Sequence, residues 1–200
     1  MKNSGGYFLI ASGGLMGAFW TLFALFLPMQ EAYLNWVMNP NWTWINVIGF
    51  MGSLLGIFAI QTLYQLLNSS GVLIKLAYVL SVIGVVILTS ILFFEAFILK
   101  GIAVEAEEMI KLGVGFYVHP PFETINLIGG IAMTFCMSVI GYHLLQQALV
   151  KRWKVIMLMI SIPLFSLVVL PPNARLVGVL LYTISFIGLG IELVRSVQPD

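Results

Sequence analysis

The sequence predicts an all-α, polytopic integral membrane protein, built as a bundle of six transmembrane helices. Composition is the first reason. Hydrophobic residues make up 60% of the 200 residues and charged residues only 8%, whereas a soluble domain has about 25% charged residues. The second reason is that the apolar residues fall into six separate runs. A run of ~20 residues is long enough to cross a hydrocarbon core of ~30 Å.

The predicted spans form a single transmembrane domain over residues 1–200. They cover about 7–27, 45–67, 76–99, 125–145, 155–170 and 176–194. Runs such as residues 82–88 are apolar on every face, which favours helices over the alternating strands of a membrane β-barrel. The fifth span is short and contains Pro163, a residue that removes a backbone donor and kinks helices.

The distribution of Lys and Arg predicts the orientation of the spans, because cytoplasmic loops are enriched in these residues. With the N-terminus inside, six of the nine Lys and Arg residues face the cytoplasm, and three face the outside. The densest cluster, Lys151-Arg152-Trp153-Lys154, then lies inside. We therefore expect a multi-pass protein of the cell membrane with both termini in the cytoplasm.

The two long outside loops have different characters. The first, 28–44, is rich in aromatic residues, which indicates an interfacial belt, with a ligand-facing vestibule as the alternative. These residues are Tyr33, Trp36, Trp42 and Trp44. The second, 100–124, is predicted to hold a short amphipathic helix on the outer membrane surface, because its apolar residues share one helical face. These residues are Ile102, Ala106, Met109, Ile110 and Gly113.

An internal repeat of two-helix hairpins is one interpretation of two local matches. The second span opens INVIG at 45–49, and the fourth opens INLIG at 125–129. Glu31-Ala32-Tyr33 similarly matches Glu95-Ala96-Phe97. Chance similarity between apolar segments is the other interpretation. In either case, Asn46 and Asn126 are expected to cap the outer ends of their helices.

The residues that bind metals and cofactors are scarce. There is one cysteine, Cys136, and the two histidines, His119 and His143, are separated by a largely helical span. Because haem, iron–sulfur and zinc sites need several such ligands in one shell, we expect no cofactor and no metal. The sequence also contains no recognisable pairing of a nucleophile with a base, so no catalytic residue is assigned.

Six polar residues at the outer side are the candidate ligand-binding residues. They are Glu95, Asn46, Asn126, Glu31, His119 and Glu123. Glu95 is the most informative, because it is an ionisable residue inside an apolar run, where a charge is costly. A second acidic residue, Glu192, is expected to pair with Arg195 at the cytoplasmic end of the last span.

Three functions are compatible with these observations. The sequence favours a non-enzymatic membrane protein that binds or passes a small or lipid-like ligand through a mainly apolar, outward-facing cavity, and transport is one such function. The first alternative is an accessory subunit that packs against another membrane protein or a second copy of itself. The second is a membrane enzyme acting on lipid at the outer interface. The net charge of +1 disfavours nucleic acid as a partner; membrane lipid is the expected surrounding.

The orientation is testable by cysteine labelling in a variant without Cys136. A membrane-impermeant maleimide added from outside is expected to modify a cysteine placed at Glu107 and to leave one placed at Lys151 unmodified, because the loop around Glu107 is predicted to face outward and the segment around Lys151 to face the cytoplasm. Labelling of position 151 alone would reverse the orientation.

Overall fold

A computed structural model of the chain describes residues 2–27, 31–67, 71–111, 122–147, 150–166 and 172–196. Within these ranges the chain forms nine helices and no strand. The helices are α1 (Lys2–Phe26), α2 (Tyr33–Met38), α3 (Trp42–Leu66), α4 (Val72–Phe97), α5 (Leu99–Glu105), α6 (Glu107–Lys111), α7 (Phe122–Gln147), α8 (Arg152–Ser166) and α9 (Pro172–Arg195).

Six of these helices form a closed ring. Each packs against two neighbours in the order α1, α3, α4, α7, α8, α9, and α9 returns to α1. Every neighbouring pair is antiparallel. Between α1 and α9, for example, Gly6 lies beside Gly190 and Gly17 lies beside Thr183. The start of α1 and the end of α9 therefore lie at one end of the bundle, which we call the terminal end.

The short helices α2, α5 and α6 lie at the opposite end and contact one another. We call these three helices the cap, and the half of the bundle next to them the capped half. The amphipathic segment predicted for 100–124 corresponds to α5 and α6, with a break at Ala106. Ala103 and Ile110 are buried there, whereas Met109 is exposed. Gly113 lies outside the described residues.

The outer surface of the ring is apolar. On α4 the exposed positions recur every three or four residues, as on any helix with one buried face, but in this helix most of them are hydrophobic. They are Val72, Leu73, Leu76, Val79, Ile83, Val86, Phe93 and Phe97. A helix in water would place polar residues along this stripe. The stripe therefore faces lipid.

Five helices in the described ranges are long and apolar enough to cross a membrane. They are Ser4–Phe26, Trp42–Leu66, Val72–Phe97, Leu127–Gln147 and Ala174–Arg195. The chain is thus a multi-pass membrane protein, and these segments match five of the six predicted spans. The remaining predicted span, 155–170, corresponds to α8, which has 15 residues in the described range and contains Pro163. Neither the sixth span nor the hairpin repeat is confirmed.

The ring closes through a close backbone approach between α1 and α9. A Cβ atom built on Gly190 would lie 2.5 Å from the carbonyl oxygen of Gly6. On Gly13, a Cβ atom would lie 2.7 Å from the Cβ of Phe186. Small residues that allow such approaches are the usual basis of helix association in lipid, where apolar burial gives little driving force.

Gly190→Ala is therefore expected to force α1 and α9 apart and to lower the free energy of unfolding by about 1–3 kcal/mol, the usual cost of overpacking. Reversible unfolding in mixed detergent micelles would measure the loss.

Gly14→Ala is the matched control, because a Cβ atom at Gly14 meets nothing within 4 Å. The alanine removes the helix-propensity cost of glycine and should stabilise the protein by up to about 1 kcal/mol. Equal stability of the two variants would contradict the close α1–α9 contact.

Candidate functional site

A cavity of about 250 Å³ lies in the capped half of the ring, between α1, α4, α7, α8 and α9. Small residues on two neighbouring helices make room for it: Gly84 on α4, with Gly129 and Gly130 on α7. Aromatic residues of α1 line another side, namely Phe19, Trp20 and Phe23.

Glu95, Ser166 and Arg175 bring polar groups to the described lining, and the two charged residues, Glu95 and Arg175, lie at its capped end. Glu95 is in the last turn of α4, Ser166 is the last residue of α8, and Arg175 is in the first turn of α9. The deeper lining residues, toward the middle of the bundle, are apolar; Met16, Ile87 and Met133 are examples. The cavity therefore changes from polar to apolar along the axis of the bundle.

Glu95 is held in place by the packing of its helix against the start of α3. Its side chain is buried, with 9% of the residue exposed. The indole Nε1 of Trp42 donates a hydrogen bond of 2.9 Å to the backbone carbonyl of Glu95. Trp42 is itself fully buried and is packed edge-on against Tyr33 of the cap. The cap and the Glu95 backbone thus form one packed unit.

Ser166 links α8 to α7 beside the cavity. Its hydroxyl lies 3.0 Å from that of Thr134 and donates to the carbonyl of Gly130 at 3.3 Å. These bonds join the end of α8 to the glycine-containing part of α7.

A polar contact and close packing lie below the cavity, toward the terminal end. The Ser12 hydroxyl donates to the Gly52 carbonyl at 2.9 Å and lies 3.3 Å from the Tyr182 hydroxyl. These contacts join α1, α3 and α9. Beyond them the core consists of large aliphatic side chains with no more than 2% exposure, among them Leu9, Ile60, Leu63, Ile140, Leu158 and Leu189. The described terminal half is therefore close-packed.

Of the six predicted binding residues, Glu95 lines the cavity. Asn46 is fully buried inside α3, and its Nδ2 donates to the carbonyl of Trp42 at 2.9 Å. It is therefore not a helix cap, because α3 begins four residues earlier than Asn46. Glu31 is exposed before α2, where its carboxylate accepts a hydrogen bond from Asn35.

The other three predictions cannot be compared with the structure. His119 lies outside the described residues, and the side chains of Glu123 and Asn126 are likewise not described. In the described ranges, no group of three or more His, Cys, Asp or Glu residues is arranged to hold a metal ion.

Arg175 was not predicted as a cavity residue, because from the sequence it was counted only as one of the three Lys and Arg residues of the outside segments. The structure shows that the last helix begins at Pro172, so Arg175 lies in the first turn of the last span. Trp20 and Ser166 were missed as well, because nothing in their local sequence distinguishes them from other residues of an apolar run.

A second polar cluster joins α8 and α9 at the terminal end. Lys154 Nζ donates to Glu192 Oε2 and to the Gly188 carbonyl, each at 2.6 Å. The other carboxylate oxygen of Glu192 accepts the backbone N–H of Lys151 at 3.1 Å. Glu192 therefore pairs across helices with Lys154 instead of with Arg195 as predicted. Every charge in this cluster has a structural partner, so we assign it to helix packing.

Lys154→Met should lower the free energy of unfolding by about 1–3 kcal/mol, because it leaves the carboxylate of Glu192 without its charged partner. Lys151→Met is the matched control, since Lys151 is exposed and contributes its backbone N–H; its effect should stay within about 0.5 kcal/mol. Chemical unfolding of both variants decides the point. A loss no larger at Lys154 than at Lys151 would refute a stabilising role for the pair.

No protein-family model matches the chain, and comparisons with curated proteins and with solved structures gave no match. The class of the protein follows from its own structure. It is a multi-pass membrane protein whose helices line a largely apolar, partly open cavity with an acidic and a basic side chain at one end.

Proposed function

We propose that this protein is a non-enzymatic, six-span protein of the cell membrane that binds a small or lipid-like molecule in its cavity. The observation that carries the proposal is the cavity itself. Its volume of about 250 Å³ exceeds that of the ~150 Å³ apolar cavity known to hold benzene. It falls just below the ~300–1,000 Å³ range of ordinary ligand pockets.

The course of α8 supports a sixth crossing. Near its start, Lys154 contacts Glu192 at the end of α9. Near its end, Leu164 lies against Gly178, close to the start of α9. The helix therefore runs from one end of the ring to the other. Its 15 described residues extend about 22 Å, which is close to the hydrocarbon thickness when the membrane adapts to a short span.

The positions of aromatic residues support the placement in the membrane. Tyr78 and Phe97 on α4, and Trp44 and Tyr64 on α3, are each separated by 19 or 20 residues. These separations correspond to about 28–30 Å along a helix, which matches the ~30 Å hydrocarbon core. Glu95 would then lie near one interface, where a polar side chain costs less than at the centre.

The proposed orientation places both termini in the cytoplasm and the cap outside, as the Lys and Arg distribution favours. The cavity lies in the capped half, so it would be reached from the outer side. The close packing below it favours binding over passage in this conformation, because the path toward the terminal end is filled by buried side chains.

Filling the cavity provides the test. A Cβ atom at Gly129 makes an ordinary 3.6 Å contact with Ile87, so Gly129→Leu should be accommodated while its side chain occupies the space. Gly14→Leu is the matched control, since it adds the same side chain where no atom lies within 4 Å.

The probe is decanol with a photoreactive diazirine at its chain end, added to the protein in lipid nanodiscs. Labelling of the cavity-lining peptides of α1 and α7 is expected in the unmodified protein and in Gly14→Leu. It should fall about tenfold or more in Gly129→Leu, the equivalent of at least ~1.4 kcal/mol of binding free energy. Labelling of these peptides that is equal in the two variants would refute the proposal.

A further inference from the structure

The cavity extends along the axis of the bundle. Gly84 and Glu95 both line it on the same helix, and the eleven residues between their positions span about 16 Å along the axis. A volume of about 250 Å³ over that length has room for an extended hydrocarbon chain.

The two ends of the cavity differ in polarity, which gives a bound chain a direction. The charged residues Glu95 and Arg175 line the capped end, whereas Met16, Gly84 and Met133 line the deep end. The Ser166 hydroxyl lies deeper than these charges, at the level of Gly130 and Thr134 on α7. A polar group buried at the deep end would find few hydrogen-bonding partners, which costs free energy. An amphiphile therefore fits with its head at the capped end and its chain toward the middle of the bundle.

The charges at the capped end restrict the kind of head. One acidic side chain, Glu95, and one basic side chain, Arg175, line the cavity. Both side chains also have interactions within the protein. Their formal charges are opposite. A head that carries a single charge is attracted to one and repelled by the other. Hydroxyl and ester oxygens can instead accept from a guanidinium, and a hydroxyl can donate to a carboxylate.

We infer that the ligand of this cavity is a single-chain amphiphile with an uncharged, oxygen-bearing head, such as a monoacylglycerol or a long-chain alcohol, bound with its head at the capped end. This inference rests on the proposed function and adds the chemical class and the direction of the ligand.

Photolabelling in nanodiscs tests the direction. Two forms of monodecanoylglycerol are used, one with the diazirine at the chain end and one with it beside the ester. The chain-end form should label peptides containing Met16 or Met133, and the ester form should label those containing Glu95 or Arg175. The opposite pattern would overturn the inferred direction.

Competition against the chain-end probe tests the head. Unlabelled monodecanoylglycerol should displace it at a concentration about tenfold lower than decanoate or decylammonium, a difference of ~1.4 kcal/mol. Equal or better displacement by either charged compound overturns the inferred head class but leaves the proposed function intact. If no probe, including decanol, labels the cavity, the proposed function itself fails.

Variants that remove one of the two charges give a further test. In each variant, the three competitors are compared with one another, so a general loss of binding does not affect the result. Glu95→Gln removes the acidic side chain, so decanoate should gain about tenfold relative to monodecanoylglycerol. Arg175→Gln removes the basic one, so decylammonium should gain instead. Glu31→Gln is the matched control: Glu31 is exposed and outside the cavity lining, so the order of the three competitors should not change. An unchanged order in both cavity variants would overturn the inference.

Discussion

The contact between the first and the last helix is the constraint on which the rest of the bundle depends. Six antiparallel helices in a row would leave two free edges and no interior. The approach of Gly190 to the Gly6 backbone joins those edges and converts the row into a ring. The faces of α1 that carry Met16 and Phe19 then lie across the interior from α4 and α7. The cavity exists because the ring is closed.

The two halves of the ring differ because their inward side chains differ in size. Near the terminal end, large aliphatic side chains such as Ile140 and Leu158 fill the interior, and Lys154 ties α8 to Glu192 of α9. In the capped half, glycines replace them on two neighbouring helices, at Gly84 and Gly129. The result is a bundle packed closely at one end and hollow at the other.

The sequence predicted the helical segments well because length and apolarity are local properties. It also identified Glu95, because a carboxyl group in an apolar run is visible without a fold. The interaction partners of side chains were harder to predict, since they depend on contacts between residues that are distant in the sequence. Glu192 was assigned to the nearby Arg195 because the position of Lys154, on another helix, follows only from the packing of α8 against α9.

Two further errors have local causes. Asn46 was taken as a cap because the aromatic residues before it were assigned to a loop, whereas α3 already begins at Trp42. Trp42 was expected at the membrane interface or in a vestibule, yet it is fully buried and bonded to the Glu95 backbone. Hydropathy records how apolar a residue is, but it does not distinguish an aromatic residue facing lipid from one packed between helices.

An empty cavity lowers the stability of the fold. At ~24 cal/mol per Å³, an empty and enclosed cavity of about 250 Å³ would cost about 6 kcal/mol. That is comparable with the whole stability of many domains, ~5–15 kcal/mol. The cavity is partly open, which lowers the cost, but water is a poor occupant where Met16, Ile87 and Met133 offer it no hydrogen bonds.

A hydrocarbon chain restores the dispersion contacts that an empty cavity lacks. Under the proposed function, such a molecule would bind the folded ring and have no equivalent site on the unfolded chain, so its binding free energy would add to the stability of the fold. The glycines that open the capped half thus make the stability of the bundle depend on what fills it. Under the proposed function, an apolar chain would lower the free energy of the ring most, and the charged residues at the capped end would select among the chains that bind.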